Sequence, residues 1–177
     1  MKRSRLGWWG LLLLATLGSS ACYKSRLGVI EQGEQAPVSG AFDCAYPDRD
    51  GGFSVTMTEA HSGRGRYAEF RYLDPDGRSY KLARLPSGLY LVQTGNEGGD
   101  YEYAFVEFRE DGGFATLVED GAGRWPLLQA RMAASGLHFR RDGELVMLRG
   151  SPSQLRAFLF SHERGVLRET SHCTPHR

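Results

Sequence analysis

The chain has 177 residues, of which 41% are hydrophobic and 24% are charged, and its formal net charge is +1. A chain of this length is expected to fold as one domain with a substantial hydrophobic core. The arginines are scattered among acids without a basic stripe, which excludes nucleic acid as an expected partner.

Residues 1–21 have the order of a secretory signal peptide. Basic residues within the first five positions precede an apolar run from Leu6 to Leu17, and small residues follow at 18–21. The apolar run is shorter than the roughly 20 residues that a membrane-spanning helix requires. We therefore expect an exported protein whose mature chain has no transmembrane helix.

The sequence Ser20-Ala21-Cys22 resembles the lipobox of bacterial lipoproteins, in which small residues precede a cysteine that is acylated and becomes the new N-terminus. The resemblance covers only the signal and this cysteine. It implies a lipid anchor at Cys22 and, with Tyr23 following, sorting to the outer membrane, with the domain on the periplasmic face. Two or three acyl chains hold a protein firmly on a membrane. The alternative is ordinary cleavage after Ala21, since Ser19 and Ala21 also satisfy the small-x-small rule.

The chain has three cysteines, Cys22, Cys44 and Cys173. An odd count in an exported protein needs an explanation, and lipidation of Cys22 leaves an even pair. We predict a disulfide between Cys44 and Cys173, because such bonds persist in an oxidising compartment. The alternatives are two separate thiols, or a redox or metal role. The absence of a C-x-x-C motif argues against a thioredoxin-like site.

Composition divides the remaining chain into two parts. Residues 22–40 are rich in Gly, Glu and Gln, and we predict a lipidated cysteine followed by a flexible tether. Residues 41–177 are predicted to form one β-rich globular domain, because alternating apolar and polar residues recur between tight-turn signals. The predicted strands, in chain order, are 53–58, 67–72, 78–84, 89–94, 101–108, 114–119, 137–141 and 144–149.

Two short helices are also predicted. Ser151-Pro152-Ser153-Gln154 combines an N-cap, a proline at the first helical position and a capping-box glutamine, which predicts a helix over 152–162. A weaker apolar pattern predicts a helix over 126–134. The expected fold class is mainly β: a single antiparallel meander that forms a small barrel or sandwich, with one or two short helices.

The sequence contains few signals for catalysis. None of the five histidines stands in a metal-ligand spacing, and no nucleophile-elbow motif is present. His162 is explained by the charge preference of a helix C-terminus. We therefore expect no catalytic residue, no metal and no cofactor, and we expect that the protein is not an enzyme.

Two groups of residues are candidates for ligand contact. Tyr101, Tyr103 and Phe105 share one face of a predicted strand and are possible ligand-lining residues, although a packed core is the alternative explanation. Arg64 and Arg66, in a loop rich in Gly and Arg, are a possible anion contact; the alternative is a solvated hairpin loop.

These features together predict a lipid-anchored cell-envelope protein. Its function is expected to be that of a non-catalytic interaction module or an accessory, structural component, in contact with another envelope protein. The alternative is a small β-barrel that carries an apolar ligand. A weaker alternative is an envelope hydrolase whose site is assembled from distant residues.

Overall fold

The computed structural model describes residues 22–95, 99–119, 124–143 and 145–176. These residues form eleven strands and two α-helices. The strands are β1 (Cys22–Ser25), β2 (Gly40–Ala45), β3 (Gly52–Ser62), β4 (Glu69–Leu73), β5 (Ser79–Arg84), β6 (Tyr90–Thr94), β7 (Tyr101–Phe108), β8 (Phe114–Glu119), β9 (His138–Asp142), β10 (Leu145–Arg149) and β11 (Leu167–Pro175), and the helices are α1 (Trp125–Ala134) and α2 (Pro152–Phe160).

Eight of the strands close an antiparallel barrel. The order around its wall is β2, β3, β4, β5, β6, β7, β8 and β11, and β11 returns to pair with β2. Closure satisfies backbone groups that an open sheet would leave unpaired at its edges. The predicted fold class is therefore confirmed, and of the two predicted architectures the protein adopts the barrel.

One edge of β7 is shared by two partners. Residues 105–108 pair with β8, whereas residues 101–103 pair with β1. β1 also pairs in parallel with β10, which forms a hairpin with β9. The start of the described chain thus joins the β9–β10 hairpin to the barrel.

Side-chain alternation along the barrel strands produces two cores. Inward-facing side chains form the inner core, inside the barrel. Outward-facing side chains of β6, β7 and β8, together with side chains of β1 and β10, pack beneath the helices and form the outer core. The inner core contains Ala36, Val38, Phe42, Cys44, Met57, Tyr72, Leu82, Val106, Phe114 and Cys173. The outer core includes Tyr23, Leu91, Phe105, Leu117, Leu128, Met132, Val146, Leu155, Phe158 and Leu159.

Both predicted helices are present. α2 begins with the predicted capping box: Ser151 Oγ accepts a hydrogen bond from the Gln154 amide at 3.2 Å, and the Ser151 amide donates to Gln154 Oε1 at 2.8 Å. The apolar stripe of α2 is buried in the outer core. α1 buries Leu128 and Met132 in the same core. The two helices therefore cover one side of the barrel.

The prediction of a flexible tether over 22–40 was wrong. Residues 22–25 form β1, and residues 26–39, here called the N-terminal arm, pack against the barrel. The buried apolar residues in this part of the chain are Tyr23, Val29, Ile30, Ala36 and Val38. The Tyr72 hydroxyl accepts a hydrogen bond from the Ala36 amide at 2.6 Å and donates one to its carbonyl at 2.8 Å. Composition alone is misleading here, because a few apolar residues reach both cores.

The N-terminal arm also completes the barrel wall between β4 and β5, which pair along only a short stretch. On one side of the gap, the Phe70 amide donates to the Gly33 carbonyl at 3.0 Å. On the other side, the Glu34 amide donates to the Leu82 carbonyl at 2.8 Å. The arm therefore takes the place of a strand where β4 and β5 separate.

The predicted disulfide is present. Cys44 and Cys173 lie opposite each other on β2 and β11, with their Cα atoms 4.0 Å apart, and their sulfurs are bonded. Both residues belong to the inner core. The bond links the first and last strands of the barrel in chain order, across a sequence separation of 129.

The predicted signal peptide, residues 1–21, lies outside the described residues. Among the helices of the described ranges, none is long and apolar enough to cross a membrane.

Candidate functional site

The barrel encloses a cavity of about 210 Å³. Inward-facing side chains of β3, β5, β6, β7, β8 and β11 form its wall, together with one residue of the N-terminal arm. The apolar lining residues are Val38, Phe53, Val55, Met57, Leu82, Val92, Ala104, Val106 and Phe114. An apolar cavity of about 150 Å³ is large enough to bind benzene. The barrel interior can therefore hold a compact apolar molecule.

A patch of small side chains leaves this space open. The interior of an eight-stranded barrel is only just wide enough for its side chains to fill. Thr116 and Ser171 are directly opposite each other on β8 and β11, and Thr116 pairs on its other side with Val106. Ala104 lies two residues before Val106 on the same face of β7 and also lines the cavity. The three small residues are thus close together on one side of the cavity.

Aromatic side chains fill the barrel near the end of β7. The rings of Phe42 and Phe114 meet edge to face, with their centroids 5.0 Å apart. The ring of Phe108 contacts Phe114 at 6.2 Å and Tyr90 at 5.0 Å. This cluster closes the barrel on that side.

The opposite end of the cavity, its mouth, is polar. Tyr80, Thr94 and Glu102 pair side by side across β5, β6 and β7, at the ends of these strands. Arg78, immediately before β5, also lines the cavity. Within the described chain, the charged lining residues are confined to this mouth. The cavity therefore combines an apolar body with a polar opening.

The acidic groups at the mouth have partners. Glu102 Oε1 lies 2.6 Å from Lys24 Nζ of β1. The Tyr80 hydroxyl donates to Asp74 Oδ2 at 2.9 Å. Burial raises the pKa of Tyr80, the hydrogen bond to Asp74 raises it further, and the neighbouring Arg78 guanidinium opposes this shift. The Tyr80 hydroxyl consequently remains a hydrogen-bond donor at neutral pH.

The predicted ligand-lining residues lie mainly in the outer core. Phe105 is fully buried there, and its ring stacks on His162 with the centroids 4.5 Å apart. Tyr103 is also buried, and its hydroxyl donates to the Leu27 carbonyl at 2.5 Å. Tyr101 packs against the edge of the same core. Of the three, only Tyr103 also borders the cavity.

β7 thus lines the cavity chiefly with its other face, and ligand contact by Tyr101, Tyr103 and Phe105 remains a prediction. The cavity face of β7 consists of Glu102, Ala104 and Val106. β7 is covered on both faces, by the inner core and by the outer core. For this reason the aromatic character of one face does not distinguish a ligand-lining surface from a packed core.

The loop that carries the predicted anion contact lies outside the cavity wall. Arg64 is exposed and immediately precedes a short 3-10 turn, Gly65–Tyr67. The backbone of Arg66 belongs to this turn, and its side chain is outside the described part of the structure. Anion binding by Arg64 and Arg66 remains a prediction.

The outer core contains a group of polar side chains that the sequence did not indicate. This buried polar cluster consists of Tyr23, Glu119, Arg131 and His162. The Tyr23 hydroxyl donates to Glu119 Oε2 at 2.5 Å, and His162 Nε2 lies 2.6 Å from the same oxygen. Arg131 Nη1 donates to Glu119 Oε1 at 3.1 Å. Three of the four residues come from segments between 43 and 139 positions apart, so no local motif could show them.

The hydrogen bonds determine the protonation of this cluster. His162 Nδ1 lies 3.1 Å from the carbonyl oxygens of both Phe158 and Leu159, which only accept, so Nδ1 carries a hydrogen. Burial raises the pKa of Glu119, but hydrogen bonds from His162 and Tyr23 and nearby positive charge outweigh burial and hold the pKa below its ordinary value. Since none of the cluster residues lines the cavity, we assign the cluster to stability.

Comparison of this chain with protein-family models, with curated proteins and with solved structures finds no match in any of the three. Because no relative suggests a function, a functional proposal has to rest on the geometry of the barrel cavity.

Proposed function

We propose that this protein is a lipid-anchored envelope protein whose barrel binds a small, mostly apolar ligand without transforming it. The observation that carries the proposal is a cavity of about 210 Å³ with apolar walls and a polar mouth. By proportion to the roughly 150 Å³ that accommodates benzene, the apolar part of the ligand has about eight heavy atoms.

The exposed surface gives less support to the alternative function, an interaction module for another envelope protein. A protein-docking surface is commonly marked by a contiguous apolar patch. The exposed large hydrophobic residues in the described ranges are Leu27, Tyr67 and Leu127, which belong to three different segments. Residues scattered in this way are ordinary for a protein surface.

The proposed anchor is supported by the sequence before and at Cys22. A charged start, an apolar run and small residues precede this cysteine, as in a lipoprotein signal. β1 begins at Cys22, so no spacer separates this residue from the fold. A lipid on Cys22 would hold the barrel next to the periplasmic face of the outer membrane, where small apolar molecules partition.

The binding proposal is tested by calorimetric titration of the protein with toluene. Cys22→Ser protein is used, because it provides a sample without lipid. We expect saturable binding at one site and a rise in the thermal midpoint. Ala104→Phe, which fills the cavity, is expected to abolish binding. Thr56→Phe, on the exposed face of β3, is the matched control and is expected to leave binding unchanged.

Circular dichroism establishes that each variant is folded. If Ala104→Phe does not fold, Val92→Phe provides a second way of filling the cavity from β6. Absence of saturable toluene binding, or binding that survives in a folded cavity-filled variant, would contradict the proposed function.

A further inference from the structure

Among the described residues that line the cavity, the basic residue is Arg78, which lies at the mouth. Glu102 is paired with Lys24 at 2.6 Å. The Asp74 carboxylate accepts hydrogen bonds from two backbone amides and from the Tyr80 hydroxyl. Within the described residues, Arg78 takes part in no ion pair. Glu102 and Asp74 therefore have partners, whereas Arg78, whose side chain is hydrogen-bonded to the Tyr80 hydroxyl, has no ion-pair partner among the described residues.

Arg78 is placed to contact the part of a bound ligand that extends from the apolar part of the cavity into the mouth. It is exposed and lies two residues before Tyr80, on the same side of the chain, and both residues line the cavity. Thr94, the neighbouring polar residue, already donates its hydroxyl to the Ser79 carbonyl at 3.0 Å. A guanidinium presents two parallel N–H groups that match the two oxygens of a carboxylate. Arg78 is thus the group at the mouth that is suited to bind an anion.

We propose that the ligand is an amphipathic anion, whose compact apolar body fills the barrel and whose single carboxylate pairs with Arg78 at the mouth. This inference rests on the proposed function, because it names the chemical class of the molecule bound in the same cavity. Among the described residues that line the cavity, the acid is Glu102, and it is already paired with Lys24, so the lining offers a cationic head group no unpaired carboxylate. A neutral head group would leave the charge of Arg78 unpaired.

Three eight-carbon probes test the head group: octanoate, octanol and octylamine. Octanoate has the shorter apolar tail by one methylene, which works against the expected preference. Each is titrated calorimetrically into Cys22→Ser protein at neutral pH. We expect octanoate to bind up to about fivefold more tightly than octanol, the upper end of the range for an exposed ion pair, and octylamine to bind most weakly.

Substitutions at Arg78 test whether the guanidinium causes the preference for octanoate. Arg78→Gln is expected to reduce octanoate affinity to that of octanol and to leave octanol affinity unchanged. Arg78→Lys keeps the charge and is expected to retain most of the preference. Arg140→Gln, at an exposed arginine of β9, is the matched control and is expected to change none of the three affinities.

The experimental outcomes distinguish a failure of this inference from a failure of the proposed function. Equal binding of the three probes, or an octanoate preference that persists in folded Arg78→Gln protein, would overturn the inference. Failure of all three probes while toluene still binds would also overturn it. In each of these cases the proposed function stands if Ala104→Phe abolishes toluene binding. If toluene also fails to bind, both are contradicted.

Discussion

His162 Nε2 lies 2.6 Å from Glu119 Oε2, and the Tyr23 hydroxyl donates to the same carboxylate oxygen. The three residues belong to different parts of the fold: β1, the end of β8, and the turn after α2. All three are buried. One oxygen atom therefore joins the start of the described chain and the α2 end to the barrel wall.

Removal of the Glu119 charge should destabilise the protein strongly. Glu119→Gln would leave Arg131 and His162 without their buried anion, for which a loss of about 3 kcal/mol in the free energy of unfolding is expected. Urea denaturation at neutral pH measures this loss. The control is Glu107→Gln, which breaks a more exposed pair with Arg164 and should cost less than about 1 kcal/mol. Similar losses in the two variants would contradict the assigned role of the buried polar cluster.

The same carboxylate should make stability sensitive to acid. Because the pKa of Glu119 is lower in the folded protein, its contribution is complete above the unfolded pKa, about 4.3, and is lost as the pH falls through the folded pKa. Wild-type protein is therefore expected to lose stability more steeply below about pH 4.3 than Glu119→Gln protein. Urea denaturation over a pH series measures both slopes. Parallel curves would show that Glu119 does not titrate in this way.

The disulfide should contribute more than a typical core contact. It closes a loop with a sequence separation of 129, for which the chain-entropy estimate is about 5 kcal/mol. The double variant Cys44→Ala with Cys173→Ala is expected to lose about 3–5 kcal/mol. Non-reducing mass spectrometry of the wild-type protein provides the check, since two free thiols in the purified protein would exclude the bond.

Gly33 should not tolerate a side chain. A Cβ added at Gly33 would lie 2.0 Å from the Phe70 carbonyl oxygen, so the N-terminal arm would have to move away from β4. Gly33→Ala is expected to cost about 2 kcal/mol or more, as for an overpacked core. Gly165→Ala is the control, because a Cβ there meets no atom within 4 Å. Hydrogen exchange should show faster exchange of the Phe70 and Glu34 amides in Gly33→Ala only.

The lipid anchor is testable by a single substitution. Cys22→Ala removes the acceptor thiol and is expected to abolish incorporation of labelled fatty acid and to release the protein from the membrane fraction. The unsubstituted protein, labelled in parallel, is the control. Retention of either the acyl label or membrane association in Cys22→Ala protein would contradict the proposed localisation.

Most strands of the fold could be predicted from sequence alternation, but three could not. The period-two pattern and turn residues indicated the strands from β3 to β10. β1 was hidden in a polar segment, and β2 and β11 received no strand prediction. The buried positions of β11 include Thr170, Ser171 and Cys173, whose small or polar side chains give no hydrophobic signal. The number of cysteines nevertheless indicated the correct disulfide, because two cysteines remain to pair once Cys22 is set aside, whatever strands carry them.

The cavity and the buried polar cluster could not be predicted from local sequence patterns, for a different reason. Alternation shows that a strand has two faces but does not show which face a barrel encloses. Ala104, Thr116 and Ser171 create space only because the sheet closes and brings them together. Glu119 and His162 similarly become partners only in the folded chain, 43 residues apart.

The N-terminal arm has a practical consequence for recombinant production. A protein begun at residue 41, where the sequence suggests that the folded domain starts, would lack β1 and the whole arm. It would expose the gap between β4 and β5, detach the β9–β10 hairpin from β7, and leave Glu119 without the Tyr23 hydroxyl. A recombinant protein should therefore begin at Cys22, which is both the first residue after the predicted cleavage site and the first residue of β1.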